Sequence, residues 1–309
     1  MKLRIPRDWL HGVGEDREQP LSGPAPDAGA MIKHRQFEAQ TATGLSVHRR
    51  ELAKRGWITA EGDESFPHQI AALLNRYPQA SPALLRGSIN VEARHEEADV
   101  RLTAWLSYLN TLSLSAPLSH PYKRLSLETL KQVAKFSRDP NGPKIAIDFV
   151  RKQGVIVLVV RPIPGTGVDG CAFWSLAERP LIGLSLRHDR LDNFWFTFLH
   201  ECAHVALHVN GPDDVFADDF DNGSMEGEQE IEANLAAAES AIPRAAWKRS
   251  QALRFPSKSN IEGLANEVGI SPSIVAGRVQ FETNNFRNFR ELLGQGELSR
   301  IFGAQNDPQ

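Results

Sequence analysis

Residues 194–210 read Phe-Trp-Phe-Thr-Phe-Leu-His-Glu-Cys-Ala-His-Val-Ala-Leu-His-Val-Asn, and no other stretch limits the fold as much. The run suits a helix that is apolar nearly all round, which places it inside a core. Such a position makes His200, Glu201 and His204 costly unless they are paired or ligate a metal. Positions i and i+4 of a helix lie one turn apart on one face, so the imidazoles of His200 and His204 can converge on a single Zn²⁺. Glu201 is rotated off that pair and is placed to act as general base. His-Glu-x-x-His alone is a weak pattern, because chance matches occur, usually on solvated helices among Lys and Glu. Here Phe194, Trp195, Phe196, Phe198, Leu199, Val205, Ala206 and Leu207 flank it, which favours the metal over a core helix with merely hydrogen-bonded histidines.

The length, 309 residues, allows two or three small domains, and a hydrophobic content of 41% supports a real core. A net charge of −3 supplies no general field for nucleic acid, so DNA binding would need a local patch. Cys171 and Cys202 are the only cysteines, and the second lies inside the metal helix, so a disulfide framework is not expected and a reducing compartment is. The N-terminus has no apolar core of signal-peptide length, and no segment has the uninterrupted apolar run of a membrane span. The expectation is a soluble cytoplasmic protein.

Residues 1–30, rich in Pro, Gly and polar side chains, read as a flexible tail. Residues 31–140 read as an N-terminal helical region. Its basic side chains Lys33, Arg35, Arg49, Arg50, Lys54 and Arg55 suit a solvated helix face, with a nucleic-acid or partner patch as the sharper alternative. Ser126 is a helix start, and Asp139-Pro140-Asn141-Gly142-Pro143 a stop that sets a boundary near 140. A third region, 141–255, opens with a short helix over Lys144–Lys152. Three candidate strands follow at Val155–Val160, Asp169–Ser175 and Pro180–Leu186. A small three-stranded sheet packed on the metal helix is the minimal scaffold of zincin-type peptidases, whose edge strand can receive an extended peptide. The fold class expected is therefore α+β, mainly helical.

Residues 211–232 carry nine acidic side chains and no basic one, and read for the most part as a solvated loop leading into a helix. That helix, from Glu228 to Ile242, is Ala-rich and stops at Pro243. A carboxylate from it would complete a His₂Glu zinc site with the fourth position open to water. Glu232 ranks first because it lies in the apolar stretch, Glu228 second and Glu230 third. Residues 256–309 form a C-terminal helix-turn-helix-like region, in which Gly269 makes the turn and Ser271-Pro272 starts the second helix. Arg278 is the sole cation on that second helix, which favours a structural role over DNA reading.

Taken together, these residues carry a family resemblance. Leu181 to Thr197 leads directly into His200-Glu201-x-x-His204, then come Phe216-Ala217-Asp218-Asp219, Glu230-Ile231-Glu232-Ala233-Asn234, Ile242-Pro243, Ser271 to Arg278 and Leu293-Gly294-x-Gly296. From about residue 100 to 303 the chain resembles the ImmA/IrrE family of metallopeptidases. The resemblance implies a zinc endopeptidase that cuts an Xre-type repressor or antitoxin, with His200, His204 and Glu232 as ligands and Glu201 as base. In place of the family's more usual Leu-Gly the motif holds Cys202-Ala203. Too few residues precede Glu51 to Ile58 for a complete Xre helix-turn-helix, so the DNA-binding partner is expected to be a separate chain.

His208 and His188 are the candidates for stabilising the oxyanion. Two other readings stand beside the peptidase: a regulator or antitoxin using the zincin fold only as a binding platform, and a latent peptidase kept off until a ligand or single-stranded DNA engages the helical regions, a reading supported by the basic stretches 31–55 and 244–258.

Overall fold

The computed structural model describes residue 45 and residues 48–58, 66–74, 96–218 and 227–303. The expected tail at 1–30, Lys33 and Arg35 lie outside the described residues. In chain order the elements are α1 (Arg49–Lys54), α2 (Phe66–Leu74), α3 (Glu96–Ser113), α4 (Leu127–Lys135), α5 (Gly142–Arg151), β1 (Ile156–Val159), β2 (Gly170–Trp174), β3 (Pro180–Leu184), α6 (Leu191–Leu207), β4 (Val215–Asp218), α7 (Glu228–Ala241), α8 (Arg244–Arg249), α9 (Gln251–Arg254), α10 (Lys258–Val268), α11 (Pro272–Glu282) and α12 (Glu297–Phe302). The class is α+β and mainly helical, as expected, with one strand more than the three anticipated. Among the described residues no helix is long and apolar enough to cross a membrane.

The sheet has the order β1-β3-β2-β4; β1 and β3 run parallel, and the other pairs are antiparallel. Side chains alternate between its faces with the period of two that a strand imposes. Val157, Ala172, Ile182 and Phe216 enter the core built on α6, while Ile156, Cys171, Phe173, Leu181, Val215 and Ala217 enter a second core with Leu102, Trp105, Leu106 and Leu109 of α3. Burial on both faces explains why the first three strands read as continuous apolar runs rather than alternating ones. The indole of Trp105 donates to the Val160 carbonyl at 2.9 Å and ties α3 to the end of β1. The fourth strand escaped the sequence reading because only Val215, Phe216 and Ala217 separate its acidic neighbours. Pairing with β2 makes it a strand, with Cys171 opposite Ala217 and Ala172 opposite Phe216.

On the other face, Phe194, Trp195 and Phe198 of α6 are at most 2% exposed. Burial of a side chain of that size contributes roughly 1.5–3 kcal/mol. The start of α6 is clamped by the C-terminal segment: Leu191 N–H donates to Leu293 O at 3.0 Å, Gly296 N–H to Asp189 O at 2.8 Å, and Ser299 N–H to Asp189 Oδ1 at 2.9 Å. At its other end the Arg124 guanidinium donates to Ala206 O at 3.1 Å.

Helix α4 begins with the expected cap, Ser126 accepting from Thr129 N–H, and buries Leu130, Val133 and Ala134 in the core of α6. That core therefore extends across the boundary set near residue 140. Helices α10 and α11 also follow the sequence signals: Gly269 adopts φ +81°, the left-handed cap that favours glycine, and Ser271 caps α11 with Pro272 in its first turn. The pair is not set apart, since Ile261, Leu264, Val275 and Val279 share the core of α6. Arg278 folds inward, its guanidinium 4.5 Å from the Trp247 ring centroid and donating to Ile242 O at 3.3 Å, which commits this cation to packing.

Candidate metal centre

The i, i+4 geometry of α6 brings the Nε2 atoms of His200 and His204 to 2.9 Å, and both side chains are 0% exposed. Across from them α7 presents Glu230, whose Oε2 lies 3.3 Å from His200 Nε2 and 3.4 Å from His204 Nε2. One ligand atom from each of the three lies within 4.8 Å of the others. The buried face of α7 is Glu230, Ala233, Ala237, Ser240 and Ala241, so small side chains let this helix close on α6 and bring the carboxylate to the imidazoles.

Burial by itself would raise the Glu230 pKa, but hydrogen bonding and charge interaction with His200 and His204 outweigh it and hold the carboxyl well below its ordinary range. Among the described residues its Oε1 is buried with no hydrogen-bond partner. Leaving such an atom unsatisfied costs about 1–3 kcal/mol or more for a charged group, a cost that a cation at this position would remove. Two imidazoles and a carboxylate, with no competing thiolate, fit zinc.

The carboxylate that meets the histidine pair is thus Glu230, ranked third on sequence, and not Glu232. At about 100° per residue, two positions along a helix point to nearly opposite sides. Glu232 is 43% exposed and its Oε2 lies 3.1 Å from His208 Nε2. Glu228 is exposed in the first turn of α7. The signal that finds Glu230 is its helical register with Ala233, Ala237 and Ala241, which outranks the apolar neighbours of Glu232 in sequence.

Directly after α6, His208 is 7% exposed, and its Nδ1 lies 3.1 Å from His204 Nδ1 while its Nε2 meets Glu232. Burial lowers its pKa, against the hydrogen bond that it donates to Glu232. Both ring nitrogens are engaged, so His208 is not placed to donate to an oxyanion as expected. His188 lies with its Nε2 3.8 Å from Asp169 Oδ1, beside the two-pronged Arg187–Asp169 pair, and is not in the ligand group. On the far wall the Phe216 ring of β4 stacks on His204 at 4.4 Å between centroids and 20° between planes.

Glu201 is 0% exposed and its carboxylate lies against the backbone of β2 at Gly170. A Cβ there would strike Glu201 Oε1 and come within 2.9 Å of Glu201 Cγ and 2.8 Å of Thr197 Cγ2, so only glycine leaves this space. Cys202, on the same helix, is fully buried; burial, with the Glu201 charge adding, pushes its thiol well above the ordinary value. It packs as a small hydrophobe, and little thiolate is available for redox chemistry.

The arrangement suits metal-assisted hydrolysis. The family model described as the IrrE N-terminal-like domain, peptidase family M78, matches residues 152–280, from the end of α5 through most of α11. Neither a curated protein nor a solved structure matches the chain.

Proposed function

From the premise that residues 152–280 are an ImmA/IrrE-family metallopeptidase domain, we propose that the chain is a zinc-dependent endopeptidase. Its substrate is an Xre-type repressor or antitoxin, whose cleavage derepresses a mobile-element, stress or defence operon. The observation that carries the catalytic part is Glu230, a buried carboxylate shared by His200 and His204, with one oxygen left unpartnered among the described residues. These three residues would hold the ion. Zinc bound there supplies Lewis acidity, polarising a peptide carbonyl and making water nucleophilic near neutral pH. Glu201 accepts the proton of the attacking water on its carboxylate and delivers it to the departing amine nitrogen. An extended peptide lies along β4, the edge strand whose Phe216 backs His204.

The substrate class comes from the family resemblance. Exposed Arg244, Lys248, Arg254 and Lys258 support single-stranded DNA as an activator that engages this basic stretch. The test is incubation with the repressors encoded beside the chain, with and without single-stranded DNA, followed by intact mass of the products. Zinc-dependent appearance of two fragments is expected. Tight binding without cleavage, unaffected by Glu201→Gln, would instead establish a binding platform.

Two further outcomes are expected. Zinc at 100 times its Kd adds about 2.7 kcal/mol to stability, which raises Tm by roughly 5–10 °C, and a chelator reverses the shift. Scanning calorimetry measures it, and an unchanged Tm together with no zinc uptake would sink the metal reading. Gly170→Ala displaces the Glu201 carboxylate, and cleavage falls on the order of 100-fold while zinc content is retained. Parallel metal analysis and kinetics check that separation.

A further inference from the structure

Among the described residues, the contacts around His204 run outward in a line. Its Nε2 faces His200 and Glu230, its Nδ1 lies 3.1 Å from His208 Nδ1, and His208 Nε2 lies 3.1 Å from Glu232 Oε2. We propose that Glu232 and His208 are positioning residues, a hydrogen-bonded relay that sets the tautomer of His204 so that its Nε2 lone pair faces the metal position; this rests on the zinc reading above.

The assignment follows from donor and acceptor chemistry. A carboxylate only accepts, so the proton between Glu232 and His208 sits on His208 Nε2. A neutral imidazole with Nε2–H has a bare Nδ1, which accepts. His204 therefore donates from Nδ1, and its Nε2 is left with the lone pair a metal needs. The opposite arrangement, His204 with its proton on Nε2, would leave two bare Nδ1 atoms facing one another at 3.1 Å. Phe216 covers both rings, at 4.4 Å from His204 and 5.6 Å from His208 between centroids, so this wall offers them an apolar surface. Helix α7 thus serves the site twice. Glu230 meets the metal position directly, and Glu232, two residues on and facing another way, acts through two imidazoles that lie one turn apart on the preceding segment.

The test combines zinc affinity, by competition with a chromophoric chelator, with nitrogen-15 NMR of the histidine rings in the zinc-loaded full chain. Glu232→Ala and His208→Phe are each expected to weaken zinc binding 10–100-fold. Glu232→Gln, whose amide oxygen still accepts from His208, recovers most of the affinity. The exposure of Glu232 makes its substitution safe for folding, which the Tm of the metal-free variant verifies. In the unsubstituted protein His208 is expected as the Nε2–H tautomer. Equal zinc affinity in Glu232→Ala and parent, or a proton on His208 Nδ1, overturns the relay. Failure of the parent itself to take up zinc is a different result and removes the metal reading on which the relay depends.

Discussion

Glu201→Gln is expected to keep zinc at parental stoichiometry and to lower kcat/KM for repressor cleavage by about 10²–10⁴-fold, the range that loss of a positioned general base produces. The two side chains have nearly the same shape, so the substitution keeps the volume of a site that is fully buried against Gly170 and Thr197. What the amide lacks is the basicity to take a proton from water. The measurement is steady-state kinetics beside metal analysis of the same sample. Cleavage at the parental rate would remove Glu201 from the mechanism, whereas loss of zinc would show that the substitution disturbs the ligands instead.

The second large effect separates two glutamates that lie two residues apart. Glu230→Ala is expected to weaken zinc binding by more than about 100-fold, beyond the range for residues that only support a ligand, and to abolish cleavage. Glu232→Ala should leave a measurable fraction of both. Removing Glu230 takes the only carboxylate from the group of three, so the remaining imidazoles hold the ion as a pair. Competition titration of the two variants under one buffer decides the order. Weaker zinc binding in Glu232→Ala than in Glu230→Ala would restore Glu232 as the ligand.

That contrast also shows how far the sequence could be read. His200, Glu201 and His204 are legible because their relation is local: once the stretch is a helix, their spacing sets their faces. The same holds for the Ser126 cap, the Gly269 turn and the Pro272 helix start, each decided by the conformational preferences of one or two residues. The first three strands were visible as apolar runs. β4 was not, because three apolar residues among acids become a strand only when β2 offers a partner.

By itself, then, the sequence determined the helix that carries the candidate site, two of the three candidate ligands and the candidate base, since helical periodicity places them without help from elsewhere. The tertiary structure decided which glutamate faces them. Residues 228, 230 and 232 present alternating sides of α7, and only the packing of Ala233, Ala237 and Ala241 against α6 selects one. It also decided the place of His208, whose two nitrogens find their partners on different helices. Contacts between distant segments depend on how whole elements dock, and no local preference encodes that.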